Sequence, residues 1–281
     1  MHFVSGLEVD LSAARRAMAD AASRFDALLT PGADMSRQVP GLSWTVGELV
    51  AHVVSEMTSF AALASGEITA DDLWDRYAPG TGDLPPNERT AAFNGAQIAE
   101  FDREQLDGAG EVVKRAARDF LTATADWPSG VLVRSFEGDL EVSTLTCVIL
   151  GELFVHGRDL SLGLGQKPTV PADEARLVLA GASALLPDYL DPASAGDMRA
   201  TIDVRVRGGP RMVMWVHDGV LEVAAEPTQR VDCHISANPV AFLLVAYGRQ
   251  SHWRAAFRGH LVAWGRRPWI ALQLPALLRN P

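Results

Sequence analysis

The amino-acid sequence predicts an α+β protein of two domains: a helical bundle over residues 1–168, then a small α+β domain over residues 169–281. Three observations carry this. Apolar residues recur at helical spacing through the long stretches that precede Gly163. The segment Gly163-Leu164-Gly165-Gln166-Lys167-Pro168 then interrupts the pattern, as a helix C-cap and linker would. Beyond Pro171 short strand-like segments take over, with Asp218-Gly219 as a two-residue hairpin turn between two of them.

A first helix is expected over residues 12–29, with Ser12 as N-cap and Ala17, Ala21, Phe25 and Leu28 facing inward; Pro31-Gly32 stops it. After a loop containing Pro40-Gly41, Thr45 and Glu48 form a capping-box pattern that opens a second helix, ended by Gly66. Residues 77–86, rich in proline and glycine, have the composition of a rim or lid. A third helix is expected over residues 88–124, with a break near residues 107–110, and Trp127-Pro128 ends it. Residues 131–140 form a hairpin or an extended crossing. The fourth helix starts at Ser143 and carries Leu145, Val148, Ile149, Leu153 and Leu160 at near-helical spacing. In the second domain a helix over residues 172–190 precedes strands at 199–206, 212–217, 220–225 and 231–236. Asn238-Pro239 then caps a helix to about residue 247, and helical pieces with a short strand at 260–264 finish the chain.

Composition narrows the function. A formal net charge of −10 argues against a nucleic-acid partner, whose binding rests on neutralising phosphates. Arginines do cluster late, at Arg249, Arg254, Arg258, Arg266 and Arg267, which leaves room for a local basic patch. No apolar run is expected to reach the roughly 18 residues of a membrane span, and the start of the chain lacks a signal-peptide pattern. Two cysteines far apart in sequence, Cys147 and Cys233, make no disulfide framework. The expectation is a cytoplasmic protein with reduced thiols and no membrane partner, a monomer or a homodimer.

The chemistry is concentrated at Gly151-Glu152-Leu153-Phe154-Val155-His156-Gly157-Arg158-Asp159. Glu152 and His156 are four residues apart, about 40° from each other round a helix axis, and so share a face. A carboxylate and an imidazole one turn apart can bind a metal ion if a third ligand arrives from another helix. The best candidate is His52, in the apolar run of the second helix. Single histidines on apolar helices are ordinarily core residues, and Glu–His pairs at this spacing also occur as plain helical ion pairs. His52 as a third donor makes a metal site possible, and the family resemblance given below turns the reading toward metal. Glu56 shares a face with His52 and is a fourth ligand, a general base or, preferentially, a partner or solvent-facing group.

Several other features carry less. Trp44 either lines the pocket or acts as a hydrophobic staple before the helix. Arg158 and Asp159 read as a surface or interdomain ion pair, Cys147 as core, and His217, His234, His252 and His260 as structural residues. The zincin pattern is absent, since no histidine precedes the glutamate at the required spacing, and Gly163-Leu164-Gly165 lacks the context of a dinucleotide fingerprint.

Trp-Thr-Val-Gly-Glu-Leu-Val-Ala-His, followed by Gly-Glu-Leu-Phe-Val-His-Gly-Arg-Asp-Leu, resembles the DinB-like metal-binding bundles, and in particular the mycothiol-dependent maleylpyruvate isomerase family. The resemblance implies an N-terminal four-helix bundle and a C-terminal domain similar to sterol carrier proteins. It implies zinc held by His52, Glu152 and His156, mycothiol as thiol cosubstrate, and a functional arginine in the second domain, for which Arg249 is the matching position.

Three protein ligands with an open fourth position is a catalytic rather than a structural zinc arrangement. A thiol entering that position would be held as thiolate and would attack a small electrophile, with an arginine pairing a substrate carboxylate. The expected activity is isomerisation or S-transfer dependent on zinc or another divalent metal such as nickel. The alternative is a non-catalytic protein on the same two domains, binding an apolar ligand or only a metal.

Overall fold

The computed structural model of the chain describes residues 7–136 and 138–278. They form two compact units, Asp10–Val170 and one made of Pro171 onward with the residues preceding Asp10.

In the helical unit, α1 (Leu11–Leu28) starts one residue before the expected cap. Asp10, not Ser12, is the N-cap: its carboxylate accepts from the Ala13 amide at 2.9 Å, and the Ser12 hydroxyl accepts from Arg16. α2 (Val46–Ser65) opens as the sequence predicts, with Thr45 and Glu48 exchanging side-chain and backbone hydrogen bonds and holding the Glu48 carboxyl below its usual range. It closes at Gly66, whose φ of 75° is left-handed. α3 (Ala70–Tyr77), absent from the sequence reading, begins with a second capping box, Thr69 and Asp72.

The expected third helix is two. α4 (Pro86–Glu100) and α5 (Ala109–Ala123) are separated by a 3-10 turn at Arg103–Leu106. The chain leaves helical backbone at Phe101, because α4 lies on α2 and α3 whereas α5 runs along α1 and α2. β1 (Leu132–Ser135) and β2 (Gly138–Glu141) form the antiparallel hairpin, and α6 (Val142–Gly163) follows at once.

Four helices make the bundle: α1 packs on α5 and α6, and α2 packs on the same two. Met18, Phe25, Leu49, Met57, Phe120, Leu145, Ile149 and Leu160 fill its interior, each contributing on the order of 1.5–3 kcal/mol by burial. A cluster of rings, Phe60, Phe93, Phe136, Trp74 and Tyr77, fastens α3, α4 and the hairpin to α2. By length and composition α2 could cross a bilayer, contrary to the expectation that no run is long enough, but two thirds of that stretch, 67%, is buried.

In the second unit α7 (Ala172–Ala182) ends well before residue 190. Hydrogen bonds three residues back, Leu185 to Ala182 and Asp188 to Leu185, tighten the chain there, and Pro187 has no amide to continue a helix. After α8 (Pro192–Ala195) come β3 (Ala200–Val206), β4 (Arg211–His217), β5 (Val220–Ala224), β6 (Cys233–Ala237), α9 (Pro239–Ala246), α10 (His252–Phe257), β7 (Leu261–Gly265) and α11 (Ile270–Leu277). The sheet order is β5-β4-β3-β6-β7, with β3 and β6 parallel and the other pairs antiparallel. Asp218 and Gly219 both have positive φ, as a type I′ hairpin turn requires.

One sheet face is apolar and buried, carrying Ile202, Val204, Met212, Met214, Leu221 and Ile235. The other holds Asp203, fully buried, which accepts from Arg211 at 2.8 Å and lies 2.9 Å from both Arg205 and His234. Burial alone would raise the Asp203 carboxyl, but these partners bring it down to about 2.

The two units suggest separate tests. A Cβ on Gly110 would lie 2.8 Å from the Asp26 Cα, since α5 crosses α1 closely there, whereas Gly95 in α4 has open space around it. Gly110→Ala should therefore destabilise the bundle by about 1–3 kcal/mol, and Gly95→Ala should stabilise it by up to about 1 kcal/mol; chemical denaturation reads both. A carboxylate whose folded pKa is depressed stabilises above its unfolded value and loses that contribution as pH falls. Asp203→Asn should thus cost about 2 kcal/mol near neutrality, and the difference from the parent should vanish between about pH 4 and the folded pKa of about 2.

Candidate metal centre

α2 and α6 are neighbours in the bundle, and each turns polar side chains into an otherwise apolar interior. Seven residues after Thr45, α2 presents His52, nearly fully buried. α6 presents Glu152 and His156 one turn apart, His156 buried and Glu152 partly open to solvent.

The three sequence-predicted ligands converge. Donor atoms of His52, Glu152 and His156 all lie within 4.8 Å of one another. The Glu152 Oε2 is 3.1 Å from His156 Nε2 and 3.7 Å from His52 Nε2. Donors bound to a four-coordinate zinc at about 2.0–2.2 Å stand about 3.4 Å apart, so the observed separations straddle the edge of such a tetrahedron. The imidazole rings meet edge to face with centroids 4.8 Å apart. The His156 Nε2 is the nitrogen that faces the cluster, and its Nδ1 is buried with no hydrogen-bond partner among the described residues. Two imidazoles and one carboxylate, spaced in this way, suit a divalent cation of borderline softness.

Burial by itself would raise the Glu152 carboxyl. The close approach of His156, with the imidazole of His52 nearby, outweighs it and holds the group well below the usual carboxylate range. The cluster thus contains an anionic oxygen between two imidazole nitrogens, the electrostatic setting in which a cation is attracted.

Beside these three, the Trp44 ring stands 5.0 Å from the His52 ring and 6.1 Å from the His156 ring. Glu56 is buried, not solvent-facing, and its Oε2 lies 3.6 Å from His52 Nε2. A partner that orients a ligating imidazole holds the ring nitrogen away from the metal; Glu56 approaches the same nitrogen that faces Glu152. Asp159 and Arg158 form the expected ion pair at 2.7 Å, with the carboxylate buried and the guanidinium partly exposed, which corrects only the surface half of the surface-or-interdomain expectation. Cys147 is core, as expected. Arg249 belongs to the other unit, in the turn after α9, where its guanidinium donates to the Tyr247 carbonyl at 2.9 Å. His234 is tied to Asp203 and His217 to Glu222, both structural arrangements.

A four-helix bundle in which two histidines and a carboxylate meet between two helices presents a donor set of the kind that can hold a divalent cation. More particularly, the chain belongs to the family described as mycothiol maleylpyruvate isomerase N-terminal domain, whose model matches residues 15–161, just over half of the chain. No curated protein matches. Among solved structures, this chain is similar to the crystal structure of the mycothiol-dependent maleylpyruvate isomerase, at 14% identity over 91% of this chain and 93% of that one, with a TM-score of 0.49. A ubiquinone synthesis protein of SCP2 type is 22% identical over 36% of this chain and 92% of its own, with a TM-score of 0.31.

Metal linkage should be visible in stability. Zn(II) at about one hundred times its Kd should stabilise the metal-stripped chain by about 2.7 kcal/mol. His52→Ala and His156→Ala should each abolish that gain in scanning calorimetry while leaving the helical circular dichroism in place.

Proposed function

We propose that the chain is a metal-dependent enzyme that uses a low-molecular-weight thiol, mycothiol, to isomerise a maleylpyruvate-type cis double bond or to transfer the thiol to a small electrophile. The observation that carries this reading is the convergence of His52, Glu152 and His156 inside a bundle of this family. These three residues would hold zinc or another borderline divalent ion. Such an ion, when bound, stabilises a thiolate at neutral pH as a Lewis acid.

The chain's own residues supply the rest. His52 and His156 act as neutral donors, and ionised Glu152 adds the one negative charge of the set. Trp44 covers one side of the pocket and excludes water there, which strengthens each electrostatic interaction inside. Arg249 takes a substrate carboxylate through its planar pair of donors. In the isomerase reaction the thiolate adds to the activated double bond and leaves a single bond free to rotate. Elimination of the same thiolate then restores the double bond in the trans form, so nothing is oxidised or reduced. In the transferase reaction the adduct takes up a proton and departs. A cytoplasmic setting suits two buried cysteines that form no disulfide, Cys147 and Cys233.

The test is turnover of maleylpyruvate by the zinc-loaded chain with and without mycothiol. Thiol-dependent conversion is expected, reduced at least about a thousandfold in His52→Ala and His156→Ala. Arg249→Ala should raise KM for carboxylate substrates more than it lowers kcat, with partial recovery in Arg249→Lys. A fully metal-loaded chain that converts neither maleylpyruvate nor a simple thiol-reactive electrophile would sink the proposal.

A further inference from the structure

We infer that the β7 edge of the second unit docks onto an anionic lipid surface. The first observation is where the apolar surface lies. Among the described residues, six of the nine exposed large hydrophobic side chains fall between positions 253 and 272. Trp253 and Phe257, 50% and 87% exposed, sit one turn apart on α10. Val262 and Trp264 project from one face of β7, and Trp269 and Leu272 flank the first turn of α11. α10 packs on β7, and α11 on the adjacent strand β6, so these side chains gather about one edge of the sheet.

β7 is itself unusual for an edge strand. Such strands are commonly protected by charge, proline or a covering element. Leu261-Val262-Ala263-Trp264-Gly265 carries no charge, and four of its five residues are exposed.

The second observation is charge. From Cys233 to the last residue the chain has six arginines and no lysine, aspartate or glutamate. With a formal net charge of −10 overall, the 232 residues before it therefore carry −16. Arg266 is engaged by Asp232, and Arg267 by the Arg199 carbonyl. The charges that accompany the aromatic pair of α10 are those of Arg254 and Arg258, both exposed, each following one of the two rings.

These features select the occupant. A second copy seated about a two-fold axis would set the arginines of both patches against each other, with no acidic residue in the segment to pair with them. A nucleic acid would use the arginines and leave Val262 and Leu272 in water. An anionic bilayer surface satisfies both parts: tryptophan rings lodge at headgroup level, Phe257 reaches into the acyl boundary, and the guanidiniums meet lipid phosphates. No membrane span is required, since the chain lies on the bilayer through short elements.

Cosedimentation of the full chain with vesicles tests this, comparing phosphatidylcholine alone with the same lipid containing about 30 mol% phosphatidylglycerol. At least about tenfold more bound protein is expected on the anionic vesicles, with a blue shift of tryptophan emission. Phe257→Ser with Trp269→Ser, and separately Arg254→Glu with Arg258→Glu, should each cut binding roughly tenfold and leave Zn(II) stoichiometry unchanged. Equal binding to both vesicles, or binding that survives both variants, would overturn the proposal. So would absence of vesicle binding together with a dimer in sedimentation velocity that Phe257→Ser dissolves, since a second copy would then be the occupant.

Discussion

An ionised carboxylate held between two buried imidazoles is the constraint on which the bundle's design turns. Placing charge inside a low-dielectric core is costly unless it is paired and hydrogen-bonded. Glu152 meets that condition because His156 follows one turn later on its own helix and His52 faces it from α2. The arrangement asks more of the scaffold than an apolar core would. α2 and α6 must keep a fixed spacing and a fixed rotation, or the carboxylate loses one of its two partners. The closely filled interior around Leu49, Leu145 and Ile149 supplies that rigidity, since packed cores resist small displacements.

Much of this was legible in the sequence. The Thr45–Glu48 box, the four-residue Glu152–His156 spacing and the Asp218-Gly219 turn are local signals, each confined to a few consecutive residues, and all three are found in place. What escaped was either short or long-range. α3 begins with the same kind of box as α2, and its Ala70, Leu73, Trp74 and Tyr77 recur at helical spacing, but it spans only eight residues, about two turns between two loops, which makes the pattern easy to pass over. The interruption between α4 and α5 extends well beyond the glycines that hint at it, because tertiary packing sends the two helices along different neighbours. The Asp203 network ties the β3–β4 hairpin to His234 of β6, 31 residues further on, a link that no local pattern reveals.

The two units solve the burial of charge in different ways. In the bundle Glu152 relies on imidazoles, groups that can also serve as metal donors, so satisfying the acid and building a site are the same act. In the sheet unit Asp203 relies chiefly on arginines, which cannot give up their protons or ligate a cation. That carboxylate is held as a fastener between strands. Carboxylates held below their usual pKa range thus mark a potential reaction centre in one unit and a structural tie in the other; the identity of the partners, more than the shift itself, separates them.

The hydrogen-bonded start of α2 carries a consequence for heredity. An α-helix turns about 100° per residue, so the phase at which the helix begins determines which way every later side chain points. Thr45 and Glu48 set that phase, and His52 inherits it two turns on. A descendant could retain all three donors and still lose the centre by shifting the origin of this helix a single residue. Conversely, one that altered its pocket while keeping this origin would carry the donor set through the change, which makes the helix start as much a part of the inherited site as the donors themselves.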